Sequence, residues 1–171
     1  MRPPIQPVAP SIGDPIELLL ACHDKVRRFA GLTLRLRDHL AAKGPDKSAQ
    51  EAAQSILRHF TLAAPLHHDD EELDLFPALR QLAVGALDQE MGQLEAEHAE
   101  LAALWQSLQA WLQAPVAGQP HAAPDTLTAF AQRYPAHAQR EEALVYPYAT
   151  RLTPEQISQI TSAMVARRTA P

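Results

Sequence analysis

Phe60-Thr61-Leu62-Ala63-Ala64-Pro65-Leu66-His67-His68-Asp69-Asp70-Glu71-Glu72-Leu73-Asp74-Leu75-Phe76-Pro77 is matched without a gap by Phe130-Ala131-Gln132-Arg133-Tyr134-Pro135-Ala136-His137-Ala138-Gln139-Arg140-Glu141-Glu142-Ala143-Leu144-Val145-Tyr146-Pro147. The shared pattern is F-x4-P-x-H-x3-E-E-x2-[LV]-[FY]-P, at an offset of 70 residues. Residues i and i+4 stand one above the other on a helix face, so His67 with Glu71, and His137 with Glu141, each present an imidazole and a carboxylate together. Both pairs fall on apolar stripes. The first runs through Ile56, Phe60, Ala63, Ala64, Leu75, Leu79 and Leu82, the second through Leu127, Phe130, Tyr134, Leu144, Val145 and Tyr148. An unpaired carboxylate on a core-facing stripe carries a large desolvation cost. Two inward pairs therefore call for a common cationic partner, and a metal supplies one.

Working outward, the rest of the chain reads as helices that complete a bundle. Asp14-Pro15-Ile16-Glu17 is a helix start, with Asp14 as cap and Pro15 in the first turn. The first helix carries Leu19, His23, Val26, Ala30 and Leu34 on one face and runs to about Ala42, before Lys43-Gly44-Pro45. Ser48 is the expected cap of the second helix, which Pro65 and Pro77 should bend. The third starts near residues 86–89 and lines up Leu94, His98, Leu101, Trp105, Leu108 and Leu112. A loop with three prolines and a glycine follows at 114–124, and Asp125 is the expected cap of the fourth helix. Thr153-Pro154-Glu155-Gln156 opens a short fifth helix through Ile157, Ile160 and Met164, after which the chain should fray. With only 6 glycines and an abundance of Ala, Leu, Gln and Glu, the sequence favours an all-α fold. Short connections favour an up-down-up-down four-helix bundle. Residues 1–12 read as a flexible tail and 13–168 as one domain.

His23 and His98 each replace an aliphatic in an otherwise apolar stripe. Every helix of the bundle then gives one inward histidine, and alternate helices give a glutamate as well: His23, His67, Glu71, His98, His137 and Glu141. Four imidazoles and two carboxylates are too many for one metal with an open position. They suit two metals, each with two nitrogens, bridged by the carboxylates. Imidazole with carboxylate favours iron or manganese, and zinc is compatible with the same ligands. One local choice arises in the second helix, where His68 and Glu72 form a second i,i+4 pair about 100° around the helix from the first. The fourth helix has alanine at position 138, so aligning the copies selects His67 with Glu71. His68 is then expected to point elsewhere and to be dispensable for metal.

The repeated H-x3-E-E-x2-L-F-P pattern, with a lone histidine on the first and third helices, resembles the hemerythrin-like (HHE cation-binding) family over roughly residues 14 to 152. The resemblance implies a four-helix bundle around a non-haem, oxo- or hydroxo-bridged centre of two iron ions, held by the six residues above. In one respect the chain departs from hemerythrins proper, which place two histidines four apart on the third helix; here the position four before His98 is Leu94. The site resembles the four-histidine, two-glutamate members instead, an iron coordination other than that of the dioxygen carriers. The function implied is binding or sensing of dioxygen, nitric oxide or peroxide. The alternative is a di-iron enzyme of oxidative or nitrosative stress that reduces peroxide or nitric oxide, or donates iron for cluster repair.

Other residues read more plainly. Glu72 and Glu142 are outer or surface groups, and Asp69 and Asp70 a solvated face. His39, His59 and His121 are unrelated to the metals. Cys22 is a small side chain turned from the stripe, and Tyr134 and Tyr148 are core residues, one of which could reach a bound ligand. A net charge of −5 with no basic stripe argues against nucleic acid. No apolar run long enough to span a membrane occurs, and a lone cysteine suits a reducing, cytoplasmic setting.

Overall fold

The computed structural model describes residues 13–169, so the tail expected at 1–12 lies outside the described residues. Helix α1, Pro15–Lys43, starts as its sequence requires: the Asp14 carboxylate accepts from Ile16 N–H, and Pro15 occupies the first turn. It stops at Gly44, which takes a positive φ of 75° while its N–H returns to Leu40 O.

Helix α2 spans residues 47–80. Its cap is Asp46 rather than Ser48, because the Asp46 carboxylate reaches Ala49 N–H. Both of its prolines fall inside, and the helix meets them with π turns at His59–Ala63 and Asp70–Leu75. Pro65 and Pro77 have no N–H to give to the carbonyl four residues back. The chain adjusts just upstream of each by widening: Ala64 N–H reaches back five residues to His59 O, and Phe76 N–H to Glu71 O. Each proline expected to disturb the helix is thus met by a widened turn, and the second turn holds Glu71 itself.

Helix α3, Gly85–Val116, runs through Pro115 before its loop begins. Helix α4, Leu127–Leu144, starts after Thr126 without a side-chain cap, so Asp125 does not play the expected role. It passes Pro135 unbroken but ends ahead of Pro147, where a 3-10 turn at Tyr146–Arg151 takes over. Leu144 faces solvent, while Val145 and Tyr146 are buried. Helix α5, Pro154–Thr169, is longer than the short helix expected. No strand occurs among the described residues.

Helix α1 packs on α2 and α4, α2 on α3, and α3 on α4, closing a four-helix ring. Two apolar clusters fill it. One holds Ile56, Phe60, Leu101, Trp105, Trp111 and Phe130. The other holds Leu19, Phe76, Leu79, Met91, Leu94 and Tyr146. Along every helix of the ring, the histidines and glutamates singled out by sequence fall between the two clusters.

Helix α5 lies against the Asp70–Leu75 turn and α1. Its contact corrects the reading of Asp69 and Asp70 as one solvated face: Asp69 is exposed, but Asp70 is fully buried beneath Arg167 and Arg168. Arg168 Nη2 donates to Asp70 Oδ2 at 2.5 Å, and Arg167 Nη2 to Asp74 Oδ2 at 2.7 Å. The end of the chain was read as frayed, which left Asp70 without a visible partner in the sequence. Removing both arginines strands a buried charge. Arg167→Ala/Arg168→Ala should therefore cost about 3 kcal/mol of stability in a denaturant titration. Adding Asp70→Asn should recover part of that loss; an unchanged midpoint in the double variant would show that α5 is not anchored here.

Candidate metal centre

All six residues selected from the sequence meet in the middle of the ring. His23, His67, His98 and His137 are at most 5% exposed, and Glu71 and Glu141 are 0% exposed. Each histidine aims Nε2 inward. His23 Nε2 is 3.1 Å from Glu141 Oε2, and His137 Nε2 is 2.9 Å from Glu141 Oε1. His98 Nε2 lies between the two carboxylates, 3.3 Å from Glu141 Oε1 and 3.5 Å from Glu71 Oε2. His67 Nε2 is 3.6 Å from Glu71 Oε2 and 3.0 Å from His23 Nε2. Ligand atoms of His23, His67, Glu71 and Glu141 lie within 4.8 Å of one another, close enough to share an ion.

The inward aim is enforced from outside. His23 Nδ1 stands 2.8 Å from Glu142 Oε1, His98 Nδ1 2.5 Å from Glu72 Oε1, and His137 Nδ1 2.8 Å from Glu97 Oε2. An ionised carboxylate only accepts, so Nδ1 of each of these imidazoles donates outward, which leaves Nε2 as the nitrogen facing the centre. Metal-binding histidines are oriented in this way. The carboxylates are themselves anchored. Arg27 Nη2 donates to Glu142 at 2.7 Å, and Arg140 Nη1 to Glu97 at 2.6 Å. The second glutamate of each repeat copy thus grips a histidine on another helix. Glu97 carried no motif of its own; its only signal was its place directly before His98.

Tyr146 is a further member that the sequence reading passed over in favour of Tyr134 and Tyr148. Its hydroxyl donates to Glu71 Oε1 at 2.6 Å and lies 3.1 Å from His23 Nε2. It occupies the aromatic position of the repeat, where the other copy has Phe76. Tyr148 is half-buried, and Tyr134 reaches His68 instead.

His68 does not turn away as expected. Its ring stacks on His98 at 3.9 Å between centroids, and its ligand nitrogen clusters with those of His98 and His137 within 4.8 Å. The expectation treated the target as a point. The cluster is extended, and neighbouring residues of α2 reach different parts of it: His67 towards α1, His68 towards α3 and α4. His39 pairs with Asp46 at 2.9 Å, His121 is exposed, and the buried His59 stacks on Phe29, all outside the cluster.

As bare protein the cluster is electrostatically incomplete. His67 Nδ1, Glu71 Oε2, His137 Nε2 and Glu141 Oε2 are buried without a hydrogen-bond partner, and the close pairs involving His137 and Glu141 are off alignment. Burial, and then the charge of Glu141, hold the Glu71 carboxyl well above the usual carboxylate range. Burial pushes Glu141 the same way, but His137, His23 and His98 outweigh it and hold Glu141 well below. The two carboxyls are thus held unequally, Glu71 towards its protonated form and Glu141 towards its ionised form. Burial takes His67 down to about 3, leaving it a neutral donor. For His137 burial acts downward, but Glu141 and Glu97 prevail and raise it. Convergent Nε2 atoms, orphaned buried oxygens and a carboxyl driven towards its protonated form fit a cationic group with nitrogen and oxygen preference.

Two cavities approach the cluster. One of about 220 Å³ is walled by Phe60, Trp105 and Tyr134 and ends on His68 and His98. The other, about 270 Å³, passes Leu18, Cys22 and Ala64 to His67.

Comparison with known proteins agrees with the geometry. The hemerythrin HHE cation binding domain matches residues 14–149. An uncharacterized protein of Haemophilus influenzae is 35% identical over 156 residues, covering 91% of this chain and 90% of that one.

Two measurements follow from this arrangement. Glu97→Ala frees His137 Nδ1 and should weaken metal binding about 10–100-fold, with little change in the fold. Cation binding must also expel the proton held at Glu71, so affinity should rise with pH and titration calorimetry in buffers of differing ionisation enthalpy should detect proton release. Glu71→Gln should release about one proton fewer; an equal release would place the displaced proton elsewhere.

Proposed function

The chain belongs to the hemerythrin HHE cation-binding domain family, and from that premise and the geometry of its core we propose that it is a non-haem di-iron protein that binds or senses a small oxidant: dioxygen, nitric oxide or peroxide. The observation that carries the reading is the double layer at the centre. Inside are four inward Nε2 atoms and two fully buried carboxylates. Outside are the glutamates that hold three of the four imidazoles by Nδ1, with Nε2 turned to the centre. His23 and His67 would hold one ion, His98 and His137 the other, with Glu71 and Glu141 between them. This nitrogen and oxygen set without thiolate favours iron or manganese over softer metals. We read the four long helices as running up, down, up and down, which their short links at 44–46 and 81–84 support.

Two irons would supply open coordination and redox capacity towards a diatomic or peroxide ligand. The protein's own part is to hold the donors in place, keep bulk water out of a buried site and offer Tyr146 as a hydrogen-bond donor beside Glu71. The narrow approaches, of a few hundred Å³, suit a ligand of a few atoms rather than an organic substrate.

Protein produced with ample iron should contain about two irons per chain, as six ligands divided between two ions require. A stable content near one iron would overturn the dinuclear reading, and zinc or manganese retained in preference to iron would overturn the metal assignment. Stopped-flow spectroscopy of the reduced protein with dioxygen, nitric oxide and peroxide then separates the outcomes. A reversible adduct supports binding or sensing. Repeated turnover would make the protein an enzyme of oxidative or nitrosative stress.

A further inference from the structure

We propose that His68 is a seventh ligand, so that the metal position beside α3 and α4 is held by three imidazoles and the position beside α1 by two. The inference rests on the two-metal reading above and goes beyond the six ligands that the repeat supplies.

Three observations carry it. The first is proximity: the ligand nitrogens of His68, His98 and His137 lie within 4.8 Å of one another, as close as those of His23, His67, Glu71 and Glu141 on the opposite side. The second is fixation. His68 is sandwiched between His98, at 3.9 Å, and Tyr134, at 5.8 Å, with both ring planes nearly parallel to its own. Tyr134 Oη also stands 3.3 Å from His68 Nε2. A solvent-seeking histidine would not be held on both faces and at one edge inside a bundle. The third is the departure from the repeat. The residue after the ligand histidine is Ala138 in α4 and His68 in α2, so the two halves differ at the one place where an extra donor reaches the cluster.

The assignment gives the centre a polarity. With both carboxylates shared, the α3–α4 position has three protein nitrogens and the α1 position two. The cavity that ends on His68 and His98 is then closed off by a bound imidazole. Fewer protein nitrogens would hold a metal on the His23–His67 side, where the second cavity arrives past Cys22 and where Tyr146 Oη stands 3.1 Å from His23 Nε2. Leu94, buried at the place four before His98, cannot supply a donor; His68 supplies it from α2.

The test compares wild type with His68→Ala, using iron and cobalt(II) as probes. Wild type should bind two metals, and its iron-57 Mössbauer spectrum should show two unlike sites. His68→Ala should keep one metal at wild-type affinity and bind the other about 10–100-fold more weakly. If the variant binds both metals like wild type and gives the same spectrum, His68 is a neighbour and the inference fails. Should the variant not fold, the native protein still decides: its cobalt(II) form should show five hyperfine-shifted, exchangeable imidazole N–H resonances, and four or fewer would overturn the assignment. Wild type that binds only one metal would instead bring down the two-metal reading itself. The control Tyr134→Phe removes the hydroxyl beside His68 and should leave the metal content intact while shifting the spectrum of one site only.

Discussion

Glu71 and Glu141 are fully buried at the centre of an apolar bundle, and the rest of the structure answers to that fact. An isolated carboxylate in such surroundings is among the least favourable things a protein can bury. Burial first, and then the charge of its neighbour Glu141, drive Glu71 towards its protonated form in the bare chain. The four imidazoles do not cure the problem, because their Nε2 atoms converge on the same centre and leave Glu71 Oε2 and Glu141 Oε2 without a hydrogen-bond partner. A cationic centre cures it by accepting from all six. The sign of the defect, buried acceptors that Tyr146 alone does not satisfy, points to a cationic partner more directly than any single distance does.

The fold holds that defect open instead of letting it collapse. Apolar clusters on both sides, with Phe60, Trp105 and Phe130 in one and Phe76, Leu79 and Met91 in the other, fix the helix positions along the bundle. Glu72, Glu97 and Glu142 fix the imidazole rotations, and Arg27 and Arg140 fix two of those glutamates. Each layer leaves the next less freedom, so the donors stand preorganised before any ion arrives. The π turn at Asp70–Leu75 belongs to the same scheme. Pro77 forces it, Glu71 sits within it, and α5 clamps its outer side through Asp70 and Asp74.

The inner layer was legible in the sequence because its signal is periodic: an imidazole and a carboxylate four apart, on an apolar stripe, twice. Helix identity was legible for the same reason. The outer layer was not. Glu97 touches His137 across 40 residues of chain, and Glu142 touches His23 across 119, so neither partnership leaves a local spacing to read. Asp70 looked like one more acid in an acidic run, since its arginines lie almost a hundred residues away. Tyr146 sat in the repeat in plain view. It was passed over because its counterpart is Phe76, which packs and has no hydroxyl to place. Helix starts at Ser48 and Asp125 failed for a different reason. In each case a residue nearby was also suited to the cap or the first turn, and geometry rather than propensity chose between them.

The repeat also shows where the two halves of the bundle part company. Pairing α1 with α2 and α3 with α4 sets His23 against His98, His67 against His137 and Glu71 against Glu141. The outer grips then cross over: Glu142, from the second half, holds His23 in the first, and Glu72, from the first, holds His98 in the second. Even the aliphatics agree, since Leu19 and Leu94, each four residues before its histidine, are both fully buried in one cluster. Besides Tyr146 in the place of Phe76, symmetry fails at two further places. Glu97, which holds His137, corresponds to Cys22, and His67 Nδ1 is accordingly the one outward nitrogen of the four left without a partner. Ala138 corresponds to His68. Both departures act in the same direction. The side of the cluster facing α3 and α4 has Glu97 as an anchoring carboxylate and His68 reaching across from α2, while the side facing α1 keeps His67, its Nδ1 without a partner, beside a cavity and a half-buried thiol. A near-symmetric bundle thereby acquires one end richer in protein nitrogens and one end reached by a cavity, so that on the two-metal reading proposed above a small ligand would meet the centre from one side.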